Sequence, residues 1–389
     1  MSGEAAAAFA PARPEERLAH LDVIRGVALL GVLVMNVQYH FRGPAVAYVL
    51  DRHPWPGFFS GAVDDLLRLV VQSKCMTLFG MLFAVGLAIQ MERKEARGDG
   101  GFWGFAWRRM LSLMAIGALH VVLLWEGDIL WIYALAGILI FPFLRRKTRT
   151  LLIWIAALAG LTALAVVFFS VRRALAGAGP ADAHRAEAMA RIGEWIAGAT
   201  AVLGHGTWWE IFLWRLREWA EHFLSQFAAV YETFFSSLLG LAVWRSGVLR
   251  APEAHLPALR RWAPWLAGLG LAGSVLELYL RPIRAFASAH GPWGAALSIP
   301  ASLGAEFGTP LLALGYGGML LLAWQSLRWR AALVPFGWAG RMALTNYLAQ
   351  SLVMTALFYG WGLGLFGSVA PWEGLGISLL FFGLQMLVS

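Results

Sequence analysis

Long apolar runs follow one another from residue 21 to the end of the chain, with charge held mainly to the links between them. Ten such runs can be marked: 21–41, 62–91, 102–124, 129–144, 151–171, 223–244, 262–280, 304–327, 335–359 and 372–389. Nearly all are at least as long as the roughly 17–25 residues a helix needs to cross a bilayer. Backbone polar groups inside lipid must be satisfied within the segment, so a chain of this pattern folds as helices. Composition agrees. Only 14% of the 389 residues are charged, against about 25% in a soluble domain. The mean hydropathy is +0.63 and there are 20 tryptophans, a residue that favours the lipid–water boundary. The expected fold class is all-α, a polytopic membrane helix bundle of about ten transmembrane helices.

Net charge is +8 and the isoelectric point about 10.0. The arginines gather at the ends of the apolar runs, where the positive-inside tendency puts them, and no basic stripe with interleaved aromatics appears. Nucleic acid is therefore not an expected partner. Residues 1–18 lack the basic-then-apolar order of a signal peptide and read as a cytoplasmic tail. Residues 19–389 read as one transmembrane domain. Within it, 172–221 is the most charged stretch, and its Trp208, Trp209, Trp214 and Trp219 point to an amphipathic, interfacial or extracytoplasmic segment. Residues 291–303, apolar but short, read as a re-entrant or interfacial piece. Counting spans from a cytoplasmic N-terminus places most Arg/Lys clusters on the cytoplasmic side of the membrane. The lone Cys75 forms no internal disulfide and no zinc motif, and no metal is expected. Phosphate-loop, dinucleotide, HExxH and GxSxG patterns are all missing.

Ionisable residues inside spans are costly and mark sites by default. In the first run Asp22, Arg25, Asn36 and His40 fall within an arc of roughly 60° at 100° per residue. Asp22 and Arg25 also read as a structural pair, whereas Asn36 lies about three turns deeper. Lys74 sits near the centre of the second run and needs a carboxylate or a polar cavity. Arg109 and His120 share a face of the third, with Glu126 and Asp128 following at the turn. His120 beside a carboxylate is a workable general base, and equally a satisfied structural histidine. Glu232, Glu277 and Glu306 lie in separate later runs, with no pairing readable from sequence. Asn346 and Gln350 share a face that either binds a carbonyl or holds helices together. His53, in the loop His53-Pro54-Trp55-Pro56-Gly57, is a further candidate base.

Four blocks carry a resemblance: residues 17–36, from Arg17 through Asp22, Arg25 and Gly31 to Asn36; 74–83, beginning Lys74-Cys75-Met76-Thr77; 120–133, from His120 to Tyr133; and 340–351, containing Gly340-Arg341 and Asn346-Tyr347. Together they look like the YeiB-like bacterial membrane proteins, a family long filed as a domain of unknown function. The blocks run in order over nearly the whole chain. The opening block is also similar to a wider superfamily of transmembrane acyltransferases that includes lysosomal heparan-α-glucosaminide N-acetyltransferase. What the resemblance implies is transfer of an acyl, most simply acetyl, group from cytoplasmic acyl-CoA to a hydroxyl or amine of a sugar or other small acceptor across the membrane. In the lysosomal enzyme an Asn ending the first span works with a His shortly after it. Asn36 matches that Asn, while His40 comes earlier and His53 later than the histidine. In many O-acyltransferases the position of Asn36 is itself His.

Such chemistry needs a base and an oxyanion donor. The candidates are His40, His53 or His120 (with Asp128) as base and Asn36 as donor. Arg25, Arg108, Arg109 and Arg341 are candidates for gripping CoA phosphates, or else topology anchors; Lys74 and Asn346 complete the candidate acyl-CoA-binding set. A small-solute transporter or channel is the competing reading, with Lys74 and Glu232 lining a path. A homodimer is compatible with either.

Overall fold

The computed structural model describes residues 18–44, 55, 57–98, 100–175, 181–289 and 291–389, and among these it is helical with no strand. The helices are α1 (Ala19–Asn36), α2 (Phe58–Val70), α3 (Lys74–Ala96), α4 (Phe102–Leu123), α5 (Leu130–Ile140), α6 (Thr148–Leu175), α7 (Ala181–His205), α8 (Trp208–His222), α9 (Gln226–Arg245), α10 (Leu256–Ala289), α11 (Gly291–Trp324), α12 (Leu327–Arg341), α13 (Ala343–Phe358) and α14 (Pro371–Val388). Seven helical stretches among the described residues, some of them two helices end to end, are long and apolar enough to cross a membrane, and Leu130–Phe143 is a shorter apolar one. The outward face of α6 shows why lipid is the solvent. Only 6% of its apolar window is buried in the bundle, and Leu161, Leu164, Phe168 and Phe169 are exposed. In water such a surface would be a large unpaid hydrophobic patch.

Three expected segments differ from the sequence reading. The second run is not one helix: α2 ends at Val70 and α3 starts at Lys74, with Ser73 in the left-handed region at φ 63°. The ninth run is also divided, by the non-helical turn at Met342 between α12 and α13. Hydropathy averaged over a span does not register a break two or three residues wide. Residues 291–303 are the first turns of α11 rather than a separate segment. The stretch 172–221 resolves into the end of α6, α7 and α8; α8 turns Ile211 and Arg215 inward while Trp208 and Trp209 stay exposed.

Small residues bring the helices together. α10 and α11 run side by side with Gly273 against Gly304 and Gly308, and Gly315 against Ala267, so close that a Cβ on any of these glycines would overlap backbone or side chain opposite. Close approach of this kind drives association where no hydrophobic effect separates helix from lipid. α1 and α12 touch backbone to backbone in the same way. A Cβ on Gly26 would lie 1.9 Å from the Phe336 carbonyl oxygen, and one on Gly340 would lie 1.9 Å from that of Asp22. α1 is the central element: it packs on α12, α3, α14 and α13, and 78% of its apolar window is buried. Charged residues tie one end of the bundle, where Glu95 meets Arg145 and Glu92 meets Arg250, each at 2.6 Å.

Candidate functional site

Two cavities lie along α1. The first, of about 500 Å³, opens where α1 begins. Four arginines line it: Arg25 of α1, Arg93 of α3, Arg109 of α4 and Arg341 at the end of α12. The expected Arg25, Arg109 and Arg341 are thus brought together from distant parts of the chain, and Arg93 joins them. Two are pre-oriented. Arg25 donates to the Asp22 carboxylate at 2.8 Å, and Arg109 donates to the Gln90 amide oxygen while its guanidinium lies 5.4 Å from the centre of the Phe83 ring. Asp22 and Arg25 do form the expected structural pair, and their ion pair is part of the cavity wall. With Asp22 the sole carboxylate in this lining, the mouth carries an excess of three positive charges, suited to a polyphosphate. Deeper in, the walls are apolar, formed by Leu29, Val32, Phe79 and Ile116, with Tyr133 and Tyr347.

The second cavity, of about 650 Å³, lies towards the other end of α1. Asn36 and His40 line it together with Arg68 and Gln72, and with Glu232, Glu277 and Glu306 from α9, α10 and α11. The three carboxylates that sequence left unpaired therefore meet in one place. Neither the Asn36 amide nor the His40 imidazole makes a hydrogen bond among the described residues, so both are free to meet a ligand. The backbone changes pitch here: Val37–Phe41 form a π turn, a form often found at functional positions.

His120 and Asp128 form a buried pair, Nδ1 to Oδ1 at 3.0 Å. The second Asp128 oxygen accepts from the Leu130 and Trp131 amides at 2.8 and 3.2 Å, which caps α5. His120 and Asp128 appear in the lining of neither cavity. Rather than standing at a bundle mouth, they sit behind a layer of rings. Tyr347 lies against His120 with centroids 5.4 Å apart, and Trp125 stands between His120 at 6.3 Å and His40 at 5.3 Å.

The remaining candidates are placed elsewhere. Lys74 is fully buried, but its ammonium donates to the Arg68 carbonyl at 2.8 Å, an acceptor set free by the break at residues 71–73. It lines neither cavity: it opens α3, inside the apolar stretch Phe58–Ala96, and a backbone carbonyl rather than a carboxylate accepts from it. Asn346 donates to the Ala339 carbonyl and the Ser389 hydroxyl, both at 3.0 Å, and Gln350 donates to Gln385 at 2.8 Å. Both amides hold α13 to its neighbours, the helix-joining alternative, and Asn346 does not reach the arginine cavity. Arg108 is exposed on the outside of α4, away from both linings. His53 lies outside the described residues.

Sequence reasoning missed Arg42. It is fully buried, donates to Gln38 at 3.0 Å and to the Val369 carbonyl at 3.2 Å, and lies 3.6 Å from Asp64, so it ties the end of α1 to α2 and to the approach to α14. It also missed Tyr347, adjacent to the Asn346 it did mark. Beside Trp125 in the α4–α5 link, burial pushes the Glu126 carboxyl above the ordinary carboxylate range, with the Arg215 guanidinium pulling the other way. A folded-state pKa above the unfolded one favours folding most at low pH and loses that contribution as pH rises through the folded value. Glu126→Gln is therefore expected to lessen the fall in melting temperature between pH 5 and pH 8, measured in detergent.

Residues 243–389 match the family described as "Protein of unknown function (DUF418)". Over 97% of its length the chain is 31% identical to the uncharacterized protein YxaH of Bacillus subtilis (strain 168), covering 90% of that protein. It is 28% identical to the uncharacterized protein YeiB of Escherichia coli (strain K12) over 90% of this chain and 85% of the other. No solved structure matches.

Proposed function

From the premise that this chain belongs to the YeiB-like family carrying DUF418, we propose that it is an acyltransferase of the bacterial inner membrane, with its N-terminus in the cytoplasm. It takes an acyl group, most simply acetyl, from acyl-CoA and passes it to a hydroxyl or amine of a small acceptor such as a sugar. The observation that carries this reading is the first cavity: four arginines at a mouth facing the N-terminal end of α1, above an apolar shaft leading towards Asn36. Arg25 and Asn36 are eleven residues apart on one helix, about 16 Å of rise, a span that suits an extended pantetheine arm between its phosphates and its thioester.

The residues supply the steps. The arginines bind the phosphates bidentately. The acceptor in the second cavity gives its proton to the His40 imidazole as its oxygen or nitrogen attacks the thioester carbonyl. The Asn36 amide donates to the oxyanion of the tetrahedral intermediate. Collapse breaks the carbon–sulfur bond, and the CoA thiolate leaves and takes up the proton from His40. The products are acylated acceptor and free CoA.

Purified protein is expected to be stabilised by acetyl-CoA in a thermal-shift assay. Arg109→Ala and Arg341→Ala are each expected to weaken binding at least tenfold, since a charge-assisted bond is worth about 1.5–3 kcal/mol. No shift at millimolar acetyl-CoA would overturn the reading. The carboxylates of the second cavity favour a small-solute transporter as a second reading, which the same assay separates because a transporter has no need of CoA.

A further inference from the structure

The two cavities follow the same faces of the same two helices. Along α1 the first is lined by Arg25, Leu29 and Val32, and the second takes up the stripe at Asn36 and His40. Along α3 the first is lined by Gly86, Phe83 and Phe79, and the second takes up the stripe at Met76. Val32 and Asn36 are four residues apart along α1, and Phe79 and Met76 three apart along α3, about 6 Å and about 4.5 Å of helical rise. The wall is thus no thicker than a side chain.

Met35 and Met76, one from each helix, line the second cavity at this boundary. Phe79 and Tyr133 back them from the first, with ring centroids 5.8 Å apart, and the Tyr133 hydroxyl donates to the Met76 carbonyl at 3.0 Å. Anchored backbone beneath an unbranched, rotatable thioether side chain makes a plug that can move without disturbing the helix that carries it. We propose that Met35 and Met76 form a septum dividing one continuous passage through the bundle, and that their side chains swing aside to join the two cavities when an acyl group crosses.

The crossing group rests on the acyl-transfer reading, but the passage is tested without acyl-CoA. In a Cys75→Ser background, Asn36→Cys places a thiol just beyond the septum. A membrane-impermeant methanethiosulfonate reagent is then applied separately to each face of oriented vesicles. With both methionines present, labelling is expected to be fast from the second-cavity face and slow from the face where α1 begins. Met35→Ala with Met76→Ala is expected to raise the slow rate about tenfold by populating the open state. The fast rate should stay unchanged, which reports an intact fold. An unchanged slow rate in the double variant, or fast labelling from both faces of the parent, would overturn the septum. If the double variant also loses labelling from the second-cavity face, the single Met35→Ala variant decides by the same criterion. Labelling as expected in a protein that shows no acetyl-CoA binding would leave the passage standing and remove only the acyltransferase.

Discussion

Gly340→Val is expected to abolish the native bundle or to lower its stability by more than about 3 kcal/mol, at or beyond the usual limit for overpacking. The cause is local and unyielding. A Cβ at this position would lie 1.9 Å from the Asp22 carbonyl oxygen and 2.8 Å from the Gly26 amide nitrogen. Both atoms belong to the backbone of a helix, so no rotamer change relieves the overlap, and α12 must separate from α1. Asp22 and Arg341 flank this contact and both line the arginine cavity, so a variant that survives should also bind polyphosphate poorly. Gly26→Val, with the Phe336 carbonyl oxygen 1.9 Å from its Cβ, is expected to behave alike. Gly268→Ala in α10 is the control. Nothing lies within 4 Å of its Cβ, so replacing an interior helical glycine should be neutral or stabilising by up to about 1 kcal/mol. Thermal unfolding in detergent, followed by circular dichroism and size exclusion, measures all three. A Gly340→Val melting curve that overlays the parent would show that the α1–α12 contact is looser than described.

That contact also marks the limit of what sequence alone makes legible. Glycine in a membrane helix signals close packing in general, but not which partner it meets; Gly26 and Gly340 are more than three hundred residues apart. The stripe on α1 was legible because periodicity is a local property, and Asp22, Arg25, Asn36 and His40 do line cavities. That the stripe serves two cavities rather than one depends on helices that arrive later in the chain. The sequence groups Arg25, Arg108, Arg109 and Arg341 as one candidate phosphate cluster; the fold gathers three of them, adds Arg93 and leaves Arg108 outside the lining. The acceptor of Lys74 is not legible in the sequence, for a physical reason. A three-residue break lets its ammonium turn back to a carbonyl, and neither the break nor the freed acceptor leaves a trace in hydropathy. Asn346 was marked for binding because amides inside a span are rare, yet its partners at Ala339 and Ser389 explain it as a helix joint.

The histidines should separate by the kind of damage their loss causes. His40→Gln is expected to reduce acyl-transfer turnover by about a hundredfold or more, the usual contribution of a positioned base, while leaving acetyl-CoA binding and melting temperature close to the parent. Its ring faces the second cavity and makes no hydrogen bond among the described residues, so the fold loses little with it. Asn36→Ala should behave similarly, since removing one oxyanion donor costs about a hundredfold or more in turnover. His120→Ala should do the opposite. It leaves the buried Asp128 Oδ1 facing no imidazole, a change worth about 1–3 kcal/mol for a stranded buried acceptor, and so appears as lost stability and yield. His120→Gln, which keeps an amide donor beside Asp128, should recover most of that stability and retain turnover within about tenfold. The imidazole of His120 is thus a positioning group: it holds Asp128, the cap of α5 and, through Trp125, the wall against which His40 packs. If His120→Gln were as inactive as His40→Gln while melting like the parent, the base would have to be reassigned to the buried pair. The ring layer of Tyr347 and Trp125 would then have to open during each turnover.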